Sequence, residues 1–585
     1  MPKGILFLFD FPVPWYTIYR GEFMTSWIKE AVFYHIYPLG FVGAAQYHEE
    51  TVTHSIKKIA DWIPHLKKLG INAVYLGPVF ESYEHGYDTS DYRLIDHRLG
   101  TNEDFKEVCE ALHNADIRIV LDGVFNHVGR YFWAFRDVQE KGEASPYCSW
   151  FSNLHFHAHS PLNDAFTYDA WEGHYNLVKL NLANEDVVCY LLDSIAMWMD
   201  EFHIDGLRLD AADCIRPEFF RRLKAFCKEK NPDFWLMGEI IHGDYNRWAN
   251  PDMLDSVTNY ECYKGLYSSH NEKNYFEIGY SLNRQFGSGG IYKQLRLYNF
   301  VDNHDVNRLA STVKKEEDLF NIYTLLFTMP GIPSIYYGSE FAVKGCKHNG
   351  SDADIRPCLK LKEYSFDALC EHIARLSAVH KLNACSEGAY EQILLRNEQF
   401  VFARSNQQET LYIACNVADE EYCAEIHAAD GCWRDLLSNE VYQAVHGTLQ
   451  FLIQTKRACI LQKDDNALPS EIKEPLQVQE ESVDCLEEIP EGTAAYSVPI
   501  FVKSLEEPEG VPVESMEIKP GKYQHFKGKH YSVLYVATHS ETLERYVVYR
   551  QLYGDGSVWI RPISMFCESI LVDGKLTPRF TYIGK

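Results

Sequence analysis

The sequence predicts an α/β protein built on a (β/α)8 TIM barrel, and three observations predict it. From about residue 30 onward, short apolar runs alternate with amphipathic stretches, the pattern of a parallel sheet with helical crossovers. Eight such runs can be counted, the last ending at Phe341. Charged or polar residues recur at their C-terminal ends, where a barrel of this kind carries its chemistry.

The first run is "VFYHIYPLGF". After it, "HSIKKIADWIPHLKKLG" places Ile56, Ile59, Ile63 and Leu66 on one helical stripe with Gly70 as the stop. "INAVYLGPVF" is the second strand, "NEDFKEVCEALHNA" the helix that follows, and "IRIVLDGVFNHV" the third strand. "IDGLRLDAA", "FWLMGEII", "MLDSVTNY", "LRLYNFVDNHD" and "IPSIYYGSEF" complete the eight. Arg208 to Glu239 is 31 residues and Asp305 to Tyr337 is 32, one repeat each, whereas Asn126 to Arg208 is 82. The excess implies an inserted subdomain, residues 129–181, over the C-terminal face of the barrel. Its polar and aromatic mixture, "HFHAHSPLNDAF" and "WEGHYNLVKLN", suits a lid or cleft wall.

The barrel is expected to span residues 27–382, preceded by an N-terminal extension, residues 1–26, whose apolar run is broken by Asp10. Residues 383–463, with "QFVFARS", "TLYIACNV" and "RACILQK", read as a β-sandwich domain. An acidic, proline-bearing linker covers 464–515. A small β domain, residues 516–585, alternates apolar and polar positions in "HYSVLYVATHS", "ERYVVYRQLY" and "VWIRPISMF", with turns at "HSET" and "GDGS".

Composition narrows the function. The 585 residues exceed one hydrophobic core, and 46% hydrophobic with 14% aromatic content marks a globular chain. Its 38 tyrosines and 11 tryptophans suit the flat faces of sugars. A formal charge of -27 argues against nucleic acid or an anionic membrane as partner. Between Asp464 and Glu517 lie 15 acidic and 2 basic residues, a net -13, so the rest of the chain carries only -14. Sixteen cysteines without a C-x-x-C pair read as reduced core thiols of a cytoplasmic protein, and no zinc-type spacing appears. No run approaches the ~18 apolar residues of a membrane span.

The strand ends carry a constellation. Asp122, Asn126 and His127 follow the third strand, Arg208 and Asp210 lie on the fourth, Glu239 on the fifth, and His304 and Asp305 close the seventh. In a strand, alternate side chains share a face, so Arg208 and Asp210 project together into the barrel mouth. Four carboxylates, an arginine and two histidines gathered at one mouth cost stability unless function requires them.

These residues carry a resemblance. "DGVFNH", "GLRLD", "GE" after an apolar strand and "FVDNHD", in that order, resemble the four short regions of the α-amylase family of retaining glycoside hydrolases. "HGYDTSDY", "VKLN" and "GIPSIYYGSEF" agree with it, over about residues 27 to 463. The resemblance implies Asp210 as nucleophile, Glu239 as general acid and base, and Asp305 as the carboxylate that steadies the transition state through sugar hydroxyls. It implies that Tyr87, Asp122, His127, Arg208 and His304 shape the subsite of the reacting glucose, with Arg208 holding Asp210 ionised.

"KLN" and "GEI" resemble the neopullulanase and cyclomaltodextrinase group, which degrades small α-glucans. The chain departs from it at Asp213 and Cys214, where the group carries Asn-Glu, and at Ile241, often an aromatic there; these departures weaken the inference of mixed α-1,4 and α-1,6 cleavage. The resemblance implies hydrolysis of α-1,4 bonds in malto-oligosaccharides, cyclodextrins or starch fragments. A 4-α-glucanotransferase using the same covalent intermediate is the nearest alternative, and an inactive α-glucan-binding protein the alternative from another class. No cofactor is expected. Nor is a metal, since Asn126 alone is far short of the ~6–8 oxygens that calcium takes. The last block, from Gly521, resembles a small bacterial domain family of unknown function.

Overall fold

The computed structural model describes residues 26–348, 351–466, 518–526, 528–538, 545–552, 558–567, 569–572 and 575–584. The extension before Ser26, residues 467–515 of the acidic linker, and the "HSET" and "GDGS" turns lie outside the described residues. The chain divides into two compact units, Met1–Gln477 and Val478–Lys585.

In the first unit, eight strands form the barrel: β1 Phe33–Ile36, β2 Ala73–Leu76, β3 Arg118–Gly123, β4 Gly206–Leu209, β5 Trp235–Gly238, β6 Ser256–Val257, β7 Tyr298–Asn299 and β8 Ile332–Tyr336. They pair in the order β6-β5-β4-β3-β2-β1-β8-β7, every pair parallel. A parallel bridge between Thr258 and Tyr298, with Asn259 N donating to Tyr298 O at 2.9 Å, closes the ring between β6 and β7.

The period-2 alternation of the strands decides what fills the interior. Phe33, Ala73, Tyr75, Val120, Trp235, Met237, Tyr298 and Ile332 pack together inside, joined from below by Ile28. Their neighbours Tyr34, Val74, Ile119, Leu207 and Leu236 face outward into the larger core beneath the helices. Gly206 permits this packing, because a Cβ there would stand 2.5 Å from Trp235 O on the adjacent strand. Gly206→Ala is therefore expected to cost about 1–3 kcal/mol, read as a lower urea midpoint with an unchanged slope.

The predicted helix after β1 is broken. Lys58–Asp61 and Ile63–Leu69 are separate helices, with Pro64 in the first turn of the second, where its missing N–H costs nothing. Gly70 stops the second at φ +83°, as the sequence predicts. The helix after β2 runs Asn102–Asn114 and begins with a capping box between Thr101 and Asp104. The insertion after β3 contributes a three-stranded antiparallel sheet in which His174–Lys179 pairs with both His127–Gly129 and Ala170–Trp171.

Residues 389–463 form an eight-stranded antiparallel sheet around a core of its own that includes Val401, Trp433, Phe451 and Ile453. The second unit contains a five-stranded antiparallel sheet over Tyr523, Val547, Tyr549, Phe566 and Phe580. Among the described residues, no helix is long and apolar enough to cross a membrane.

Candidate active site

The β4 and β5 ladders end at Leu209 and Gly238, one residue short of the functional side chains. Asp210 and Glu239 thus stand just past adjacent strand ends, tied by Asp210 N to Gly123 O at 3.1 Å and Glu239 N to Leu209 O at 2.9 Å. Ala211, immediately after Asp210, holds a left-handed backbone at φ +43°, a strained conformation for a residue with a Cβ. Its N–H donates to Glu239 Oε2 at 3.3 Å.

One guanidinium organises the centre. Arg208, almost wholly buried, donates from Nη1 to Asp122 Oδ1 and Oδ2 at 2.9 and 3.0 Å and to Asp210 Oδ1 at 2.9 Å. Its Nη2 lies 2.7 Å from Glu239 Oε2. Three carboxylates from β3, β4 and β5 therefore share a single cation, and two of them occupy its opposite arms.

The seventh strand supplies the other side through the loop beyond Asn299. His304 Nε2 lies 2.9 Å from Asp305 Oδ2 and 2.5 Å from Tyr87 Oη, and Tyr87 Oη also donates to Asp122 Oδ2 at 3.0 Å. His127 Nε2 stands 3.9 Å from Asp210 Oδ2 and has no hydrogen-bond partner. The insertion brings Trp171 against the His127 ring, 5.7 Å between centroids. Asp122, His127, Asp210, Glu239, His304, Asp305 and Tyr87 thus join one continuous cluster around Arg208, and Asn126 Nδ2 lies 3.2 Å from His127 Nδ1, bracing that ring.

The electrostatics of the three acids differ. Burial pushes Asp210 well above the usual carboxylate range; Arg208 pulls it down, but Glu239 and Asp122 add to the rise. Arg208 thus acts on this carboxyl in the expected direction, favouring its ionised form, while burial acts against it. Burial also acts to raise Asp305, yet His304, Arg356 and Arg208 prevail and hold it well below the ordinary range. His127 is pushed by burial down to about 3 and serves as a neutral ring.

A family model described as "Alpha amylase, catalytic domain" matches residues 35–380. The chain belongs to the α-amylase family. It is 32% identical over 454 residues to a cyclomaltodextrinase of Geobacillus thermopakistaniensis, covering 72% of this chain and 75% of that protein. It is 30% identical over 478 residues to neopullulanase 2 of Thermoactinomyces vulgaris, covering 76% and 80%. Among solved structures, a cyclomaltodextrinase superposes with a TM-score of 0.67 at 26% identity, covering 75% of this chain and 79% of that one. The cyclic α-maltosyl-(1→6)-maltose hydrolase of Arthrobacter globiformis gives 0.64 at 25%, covering 75% and 99%. A second model, "Protein of unknown function (DUF1653)", matches residues 521–582. The chain is a glycoside hydrolase of the α-amylase family, similar to its cyclomaltodextrinase and neopullulanase members.

Four further residues of this α-amylase-family cluster are not singled out by the sequence. Tyr75 donates to Asp122 Oδ2 at 2.7 Å from within β2, where it reads as an ordinary core aromatic. Tyr260 donates to Glu239 Oε1 at 3.4 Å and accepts from Asn303 Nδ2 at 3.1 Å, while Asn303 Oδ1 accepts from Asp305 N at 2.8 Å. Arg356, beyond β8, donates to His304 O at 2.9 Å and to Asp305 Oδ1 at 3.2 Å. The Asp352–Arg356 pair, 2.7 Å apart at an i,i+4 spacing, is the one sequence signal that marks it.

Proposed function

We propose that the chain hydrolyses α-1,4-glucosidic bonds of malto-oligosaccharides, cyclodextrins and starch fragments by a retaining double displacement. The observation that supports this most is the sharing of the Arg208 guanidinium by Asp210 and Glu239. Contacts of 2.9 and 2.7 Å to its two arms keep both carboxyls within reach of one anomeric carbon, as the retaining mechanism requires.

In this reading Asp210 attacks the anomeric carbon while Glu239 gives its proton to the leaving glucosyl oxygen. The covalent glucosyl-Asp210 ester is then opened by water, whose proton Glu239 takes back, restoring both groups. Asp305, ionised beside His304 and Arg356, accepts hydrogen bonds from sugar hydroxyls as positive charge develops on the ring. The neutral His127 ring lines the same subsite, as do His304 and the Tyr87 hydroxyl, and Asp122 anchors Arg208, Tyr75 and Tyr87 beneath it. Relatives named cyclomaltodextrinase and maltogenic α-amylase support this substrate class.

Chromatography of products from maltotriose, pullulan and β-cyclodextrin tests the reading. Glucose and maltose from maltotriose and opening of β-cyclodextrin are expected. Longer products appearing first would favour a 4-α-glucanotransferase, and no new reducing ends from any of the three would favour a binding protein.

A cytoplasmic location is part of the proposal. The 15 cysteines of the described residues are all free thiols, and a relative from Bacillus subtilis is named intracellular maltogenic amylase.

A further inference from the structure

Away from the catalytic cluster, His48, Glu81 and His97 converge from three segments: the loop after β1, the strand Phe80–Ser82, and the residues just after the strand Thr89–Ile95. One ligand atom from each lies within 4.8 Å of the other two. His48 Nδ1 stands 2.7 Å from Glu81 Oε1, and His97 Nδ1 stands 3.8 Å from Glu81 Oε2. We propose that these three side chains bind a single zinc ion.

The plain alternative is a pair of His–Glu ion pairs, and the hydrogen bonding does not favour it. Glu81 is only 7% exposed, yet its Oε1 has no hydrogen-bond partner, because His48 approaches at hydrogen-bond distance without the direction of one. His97 Nδ1 is likewise buried and unpartnered. Two unpaired buried atoms facing one point carry a cost that a shared ligand removes. The other oxygen of Glu81 accepts from His97 N at 2.9 Å, which fixes the carboxylate's orientation.

The donor set selects the metal. Two imidazole nitrogens and one carboxylate suit zinc rather than calcium or magnesium, which take oxygen. At zinc's bond lengths, ligand atoms of a tetrahedral ion stand about 3.4 Å apart, between the two separations observed. The side chains of His48 and His97 are 30% and 37% exposed, so the three ligands lie close to the surface.

The surroundings hold the three segments ready. Arg98 donates to Ala45 O and Gln46 O at 3.2 Å and to Glu84 O at 2.7 Å, while its Nε and Nη2 engage Asp96 at 2.8 and 2.6 Å. Arg98 and Asp96 thus neutralise each other in a buried pair. His48 N also donates to Tyr83 O at 2.6 Å, and Thr53 N to His97 O at 2.9 Å. Zinc here staples the β1 loop to the hairpin that carries Tyr87 and plays no part in bond cleavage.

The test uses the full chain stripped with a chelator and titrated calorimetrically with zinc chloride. The wild type is expected to take up one more equivalent than either His48→Ala or His97→Ala, and its melting temperature to rise with zinc by about 2–4 °C, with no rise in either variant. Equal zinc uptake by all three proteins, or none by the wild type, would overturn the proposal. Cobalt(II) added to the stripped wild type gives a readout that needs no variant: intense visible bands of a four-coordinate ion support the site, and the pale spectrum of the hydrated ion refutes it.

Discussion

Asp210→Asn is expected to lower turnover of malto-oligosaccharides by at least about 10⁴-fold and, at the same time, to raise the melting temperature by about 2 °C. The first effect follows from the loss of the nucleophile. The second follows from the burial of Asp210 against Glu239 and Asp122, which raises its pKa in the folded state. A carboxyl with a folded pKa above its unfolded value destabilises the fold at every pH above both. The penalty shrinks as pH falls through the folded pKa and is gone below the unfolded value of about 3.9. The stability advantage of the Asn variant should therefore be largest at neutral pH and vanish toward pH 3.5, measured by thermal melts across that range. Activity of the wild type should decline on the acid side above the ordinary carboxylate range, as Asp210 takes up its proton. A variant that is inactive but less stable than wild type at pH 7 would contradict this electrostatic account.

Arg208→Met is expected to move stability the other way, by about 3–5 kcal/mol, and to abolish activity. Removal of the guanidinium leaves Asp122, Asp210 and Glu239 facing one another without the cation they share. Arg208→Lys should recover only part of the loss, since one ammonium cannot span two carboxylates on opposite arms. Combining Arg208→Met with Asp210→Asn should be less destabilising than the sum of the single changes. Urea unfolding of the four proteins checks this, and strict additivity would show that the arginine does not hold the acids as a unit.

Much of this was legible because strand periodicity and repeat spacing are local properties. The two-residue step from Arg208 to Asp210 implies a shared face, and the 82 residues between Asn126 and Arg208 imply the insertion that delivers Trp171. What escaped depends on distance in the chain. Tyr75, Tyr260 and Arg356 look like core or surface residues until the barrel closes around them, and His48, Glu81 and His97 have no metal-type spacing. The broken helix at Trp62 was readable in principle: Pro64 belongs in a first turn, which requires a helix to begin just before it. The balance at Asp210 was not, because the cost of burial is set by everything packed around a carboxyl and not by its partner alone.

The most direct test is to trap the intermediate. Glu239→Gln, incubated with α-maltosyl fluoride, bypasses the need for a general acid in the first step and slows the second. Digestion and mass spectrometry are expected to find one maltosyl unit on the peptide containing Asp210, with the α-anomer released first when the wild type acts. A label on Asp122 or Asp305, or release of the β-anomer without any label, would contradict the assignment.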